Sequence, residues 1–151
     1  MAFEEEFVIA SAIDWFANNF TGTSSSSVNL DEEDFDFEAA EEAVEFDLLL
    51  ADDRTARISG KRFIDVTAVS HCYAKSTSNA YRVFELADAV QDALSMADIK
   101  VFDFDTVGYP QVGMIRLREP RLTDLTESFN KDHNVGGNHI SITVAGVAQE
   151  I

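Results

Sequence analysis

The chain has 151 residues, of which 46% are hydrophobic and 12 are Phe, and its formal net charge is −17. This length and hydrophobic content predict one domain over residues 1–151 with a packed core, and argue against wholesale disorder. No apolar stretch approaches the roughly 18 residues of a membrane-spanning helix, the first residues are acidic where a signal peptide is basic, and Cys72, the sole cysteine, allows no intrachain disulfide. The negative charge disfavours tight binding to phosphate backbones or anionic lipid, so the composition indicates a protein made in the cytoplasm that binds neither membranes nor nucleic acid tightly.

The first predicted element is an amphipathic helix over residues 3–19. Trp15 and Phe16 widen its apolar stripe, and three glutamates lie at the positive end of the helix dipole. A Thr-, Gly- and Ser-rich stretch over 21–27 then predicts a flexible loop. The stripe follows the three- and four-residue spacing of one buried face and consists of Phe3, Phe7, Ala10, Ile13 and Ala17.

An acidic segment follows, within a predicted loop or arm at about 21–43. Residues 1–53 contain 16 acidic residues and no lysine or arginine, whereas residues 54–151 contain 12 acidic and 11 basic residues. The segment suits a basic partner, or the lining of a passage through which DNA slides without sticking. A solvated acidic face, as in a saline habitat, explains the charge equally well. The candidate residues are Asp31, Glu32, Glu33, Asp34, Asp36, Glu38, Glu41 and Glu42.

Two strands joined by a short connection are predicted next. Apolar residues alternate with acidic ones over 44–50, which is typical of a strand with one buried face. Residues 51–54 predict a polar turn, and residues 55–73 predict a second long strand in which Ile64, Val66 and Ala68 share a face. The pair is expected to form an antiparallel hairpin.

A second helix is predicted over about 78–97, followed by strands over 99–104, 111–118 and 139–149 and a polar loop over 121–138. Together the elements predict an α/β (α+β) domain with a mostly antiparallel sheet of four or five strands packed against two helices. The predicted buried face of the second helix consists of Val83, Leu86, Ala87, Val90 and Leu94.

The residue patterns give little support for an enzyme. Asp103 and Asp105 are expected to share a strand face and could hold a cation or act as acid and base, but chance pairing is the better explanation among 28 acidic residues. His71 and Cys72 are adjacent on a strand, so they point to opposite faces and cannot form a nucleophile–base pair. The other two histidines lack the ligand spacing of a zinc site, and no catalytic or nucleotide-binding motif occurs. We therefore expect no catalytic residue, metal or cofactor.

The basic residues form two groups. Arg116, Arg118 and Arg121 lie on and just past one predicted strand, while Arg57 and Arg62 lie around the hairpin. Pairing with local acids is the simplest explanation. However, charge already balances within residues 54–151, so we predict that these arginines contact carboxylates of a neighbouring subunit, for which arginine's bidentate geometry is suited.

The order of elements resembles that of the tail-terminator, or tail-completion, proteins of long-tailed bacteriophages. The residues that carry the resemblance are Phe84-Glu85-Leu86-Ala87-Asp88-Ala89-Val90 in the second helix and His139-Ile140-Ser141-Ile142-Thr143-Val144 in the last strand. The similarity covers most of the chain in layout, although the acidic insertion around 31–42 departs from compact members of the family.

The resemblance implies a structural virion protein of the tail or neck, assembled in the host cytoplasm. Such a protein forms a homo-oligomeric ring, commonly of six copies, which caps the tail tube and joins it to the head–tail connector or stopper. DNA would pass through the ring without specific binding. The alternatives are a head-side neck or stopper protein, a small acidic cytosolic module that binds a basic protein, and a metal-dependent hydrolase that uses Asp103 and Asp105.

Overall fold

The fold is given by a computed structural model that describes residues 2–22, 28–29, 42–55, 59–75, 81–126 and 137–151. The helices and strands in this part of the chain, in order, are α1 (Glu5–Asn19), β1 (Val28–Asn29), β2 (Glu42–Thr55), β3 (Arg62–Lys75), α2 (Arg82–Leu94), β4 (Asp98–Phe102), β5 (Gln111–Leu117), β6 (Arg121–Asp124) and β7 (Gly137–Glu150).

The strands form one sheet in the order β1-β2-β3-β7-β5-β4, and β6 also pairs with β7. β3 lies along one edge of β7, while β5 and β6 follow each other along its other edge. The two-residue β1 is parallel to β2, whereas the other six strands pair in antiparallel fashion. The α+β class is confirmed, and the described sheet has more strands than the four or five predicted.

Both helices pack on the same face of this sheet. α2 buries the residues that the sequence predicted, and α1 and α2 join one hydrophobic cluster with the even-numbered residues of β3 and β7, such as Ile64 and Ile142. A helix with an apolar stripe and a strand with one apolar face bury these surfaces most simply against each other, which explains the two-layer arrangement.

The predicted buried stripe of α1 is confirmed at Phe3, Phe7 and Phe16 and is wrong at Ala10 and Ala17. The helix begins at Glu5, and Ala10 and Ala17 are exposed. The helix is rotated about its axis relative to the prediction, because Phe16 stacks on Phe46 with ring centroids 4.3 Å apart and on Phe20 at 5.1 Å. Burying one large ring against others outweighs burying two alanines. The residues of α1 that are buried are Phe7, Val8, Ser11, Ala12 and Phe16.

Other predicted boundaries also differ from the structure, since β3 begins at Arg62 instead of residue 55 and α2 spans Arg82–Leu94 instead of about 78–97. β2 continues to Thr55 with a register shift between Ala51 and Arg54, so residues 51–54 form an irregular strand end instead of a turn. β4 ends at Phe102, two residues earlier than predicted. Residues 121–124, predicted as loop, form β6 because β7 extends beyond β5 and offers its backbone groups to them.

Candidate interaction surface

The candidate functional site is the face of the sheet opposite the helices, here called the open face. Side chains alternate along a strand, so the open face contains Thr67 of β3 together with its cross-strand neighbours Leu49 of β2 and Ala145 of β7. Leu49 is 53% exposed and Ala145 is also exposed. These two side chains make the middle of the open face accessible to another molecule.

The three arginines predicted to cluster form one row beside β7 on the open face, here called the arginine row. Arg116 is opposite Val147 of β7, the Arg118 N–H donates to the Ala145 carbonyl at 2.9 Å, and Arg121 is opposite Thr143. The row therefore follows alternate positions of β7, and all three side chains are exposed. Arg116 Nε lies 3.9 Å from an Asp98 carboxylate oxygen, with both side chains mostly exposed, so this pair contributes little.

Arg62, one of the predicted hairpin contacts, has partners within the chain. Its guanidinium binds the Asp53 carboxylate and donates to the Phe3 carbonyl, and it also lies over the Phe3 ring at 5.8 Å. The pairing lowers the pKa of Asp53 and raises that of Arg62. Arg62 thus ties the start of β3 to the residues before α1. The other predicted contact at the hairpin, Arg57, lies outside the described residues.

Of the acidic candidates, Glu42 is described and the remainder (Asp31, Glu32, Glu33, Asp34, Asp36, Glu38 and Glu41) lie outside the described residues. Glu42 is the first residue of β2. Its two carboxylate oxygens accept a bidentate pair of hydrogen bonds from Arg82 Nε and Nη2, the latter at 2.9 Å. Arg82 also donates to the Gly22 carbonyl at 2.9 Å and to Glu85 at 3.1 Å. The hydrogen bond with Glu42 is the main cause of a raised Arg82 pKa. Sequence reasoning missed this pair, which gives the acidic third a partner within the chain.

A histidine pair that the sequence did not predict lies at one end of the open face. His71 Nδ1 and His139 Nε2 are 2.8 Å apart, and the Tyr73 ring stacks on His139 at 4.4 Å. Glu45 is the cross-strand neighbour of His71. Burial lowers the pKa of His71, and burial together with the Glu45 charge raises that of Tyr73. The neutral form of His71 is therefore favoured. The hydrogen bond between the two histidines also needs one of the two nitrogens as an acceptor.

Asp103, a candidate cation ligand or acid–base residue, instead holds a turn together. The Asp103 carboxylate accepts hydrogen bonds from Thr106 Oγ1 at 2.7 Å and from the backbone N–H groups of Asp105, Thr106 and Ala2 at 2.9–3.2 Å. These bonds, led by the Thr106 hydroxyl, lower its pKa. Because β4 ends at Phe102, the expectation that Asp103 and Asp105 share a strand face is wrong.

Cys72 is also removed from solvent. Cys72 is fully buried on the helix side of β3, where desolvation raises the pKa of its thiol to about 12. Within the described ranges, no group of three or more His, Cys, Asp or Glu side chains is placed to hold a metal ion.

Comparison with known proteins adds no identification. No model of a protein family matches the sequence, and no curated protein matches it significantly. Among the helices that are described, none has the length and apolar character needed to cross a membrane.

Proposed function

We propose that this protein is a structural virion component, a tail terminator that assembles into a homo-oligomeric ring of six copies, caps the tail tube and joins it to the head–tail connector or stopper. The observation that carries the proposal is the two-layer architecture, in which helices cover one face of the sheet while the open face presents exposed side chains and the arginine row.

The composition of the open face supports self-association. Leu49 and Ala145 are exposed beside Thr67 in the middle of the sheet, and the arginine row follows the other side of β7. Protein interfaces commonly combine apolar residues with arginine. A sheet face of this kind is stabilised when another surface covers it, and a second copy of the same chain supplies one.

The charge distribution supports a ring around DNA. Residues 1–53 are strongly acidic, whereas the rest of the chain is almost neutral. Acidic residues that line a passage repel the phosphate backbone, so DNA can move through without being held. Contacts with the tail-tube protein and the connector would then form on the two rims of the ring.

Light scattering coupled to gel filtration tests this proposal, with negative-stain images of the same fractions. Six copies of the 16.7 kDa chain give a mass of about 100 kDa and a visible ring. Ala145→Arg on the open face should lower the mass, whereas Ala10→Arg on the exposed side of α1 should not, because both alanines are exposed and only the first lies on the proposed interface. A strict monomer from micromolar to millimolar concentration that also fails to bind tail-tube ends would refute the proposal.

A further inference from the structure

The loop between β4 and β5, residues 103–110, presents an exposed apolar tip. Val107 is 99% exposed and Tyr109 is 60% exposed. The loop is nevertheless well held, because the Asp103 carboxylate accepts bonds from residues 105 and 106 and the Tyr109 N–H donates to the Thr106 carbonyl at 3.0 Å. The tip is thus presented in one shape, which reduces the entropy lost when a partner binds it.

The base of this loop has an acidic rim. Phe104 contacts Phe7 of α1 with ring centroids 6.3 Å apart, which brings the start of the helix beside the loop. Glu6 lies near Glu4 and Asp105. Its pKa is raised by a hydrogen bond with Glu4, by desolvation, and by the negative charges of both neighbours. The loop therefore combines an apolar tip with clustered carboxylates, and both features favour a partner that is apolar in the centre and basic at the side.

The open face of the same chain carries a surface of that kind. A recess of about 220 Å³ is lined by Met114, Arg116, Val147, Gln149 and Ile151. Three of these side chains are apolar, and Ile151 is 57% exposed. Arg116 begins the arginine row, which continues away from the recess along β7. The recess is concave and has one arginine in its wall, whereas the loop is convex and has carboxylates at its base.

We infer that the β4–β5 loop of one copy seats in this recess of the next copy, with Val107 in the recess and the acidic rim against the arginine row. The inference rests on the proposed function, since it supplies the contact by which copies would assemble. The loop and the recess share no residue, so each copy can use both with different neighbours. Such a heterologous contact generates a ring when its rotation closes.

Two single variants and their mixture test this contact. Val107→Asp places a charge at the tip without touching the core, and Arg116→Glu reverses a charge that is 73% exposed in the recess wall. Each variant should raise the dissociation constant for self-association about 30-fold or more, as hot-spot residues do. Tyr81→Asp, which changes another highly exposed apolar residue, should alter it less than about threefold. Thermal melts should match the wild type in all three variants.

Mixing the two interface variants identifies the geometry. The Val107→Asp chain keeps its recess and the Arg116→Glu chain keeps its loop, so native mass spectrometry should show a dimer containing one of each and nothing larger. A wild type that assembles while both variants assemble equally well overturns this inference and leaves the proposed function standing. A wild type that stops at a dimer, or a mixture that forms no dimer, also overturns it. A monomeric wild type overturns both.

Discussion

The contact between Arg82 and Glu42 should be the strongest ion pair among the described residues, and a double-mutant cycle can measure it. Glu42→Gln removes the charge while keeping the shape, Arg82→Met removes the guanidinium while keeping much of the apolar stem, and the double variant closes the cycle. The pair joins the first residue of β2 to the first residue of α2, so its loss should loosen both elements.

The expected magnitude follows from geometry and burial. Two guanidinium nitrogens contact the carboxylate, and the side chains are 30% and 22% exposed, which places the pair between surface bridges and buried ones. Surface pairs contribute up to about 1 kcal/mol, and removing one partner of a buried pair costs about 3–5 kcal/mol. We expect each single variant to lose about 2 kcal/mol of unfolding free energy, with a coupling energy of about 1.5 kcal/mol.

Urea unfolding followed by circular dichroism is the assay, with the Arg54–Asp65 pair as the control. That pair has an N–O distance of 2.7 Å, but its side chains are 60% and 37% exposed. Its coupling energy should therefore stay below about 0.5 kcal/mol and fall further with added salt. Equal coupling in the two pairs would show that burial does not set their strength, and the reasoning would fail.

Three further predictions concern single residues. Cys72 should resist alkylation at pH 8 in the folded protein and react fully in denaturant, because burial raises its pKa to about 12; rapid labelling of the native state would contradict this. Burial lowers the pKa of His71 in the folded state, so unfolded chains take up the proton first and stability should fall as pH drops below about 6.5. The melting temperature of His71→Gln should show a smaller decrease over the same range, and an unchanged pH dependence would argue against this assignment. Gly146→Ala should lose about 2 kcal/mol or more, because the added Cβ would lie 2.4 Å from the Arg116 carbonyl oxygen. Gly108→Ala, at φ +89° in open space, should lose only about 1 kcal/mol, and urea midpoints in the reverse order would refute the comparison.

The parts of the fold that were predictable are those in which one face is buried along a whole element. The buried face of α2 was predicted residue by residue, and the alternation along β3 gave its buried face correctly, because burial of that face dominates the energetics of both elements. β6 is exposed along its length, so it has no hydrophobic pattern to read. It forms because distant backbone groups of β7 are available to it, which is a non-local cause.

The candidate site likewise contains contacts that the sequence could predict and contacts that it could not. Arg116, Arg118 and Arg121 are close in sequence, so their grouping could be predicted, although their position along β7 could not. His71 and His139 are 68 residues apart and meet only because of the register between β3 and β7, where Tyr73 lies opposite His139. A one-residue change in that register would turn one histidine to the other face. Arg82 and Glu42 likewise meet through tertiary structure, since nothing in either local segment indicates the other.

β7 links the core to the open face, and a single glycine allows it to do so. Ile140, Ile142, Val144 and Ala148 are buried in the core, while Val147 and Gln149 line the recess on the other face. Gly146 lies where β5 ends, opposite Leu117, and the Arg116 carbonyl is so close that no Cβ fits between the strands. With any other residue there, β5 would have to move away from β7, and Arg116 would move with it. The position of the arginine row is therefore set by a close backbone approach in the sheet, so a change in packing at Gly146 would alter the interaction surface without changing any residue on it.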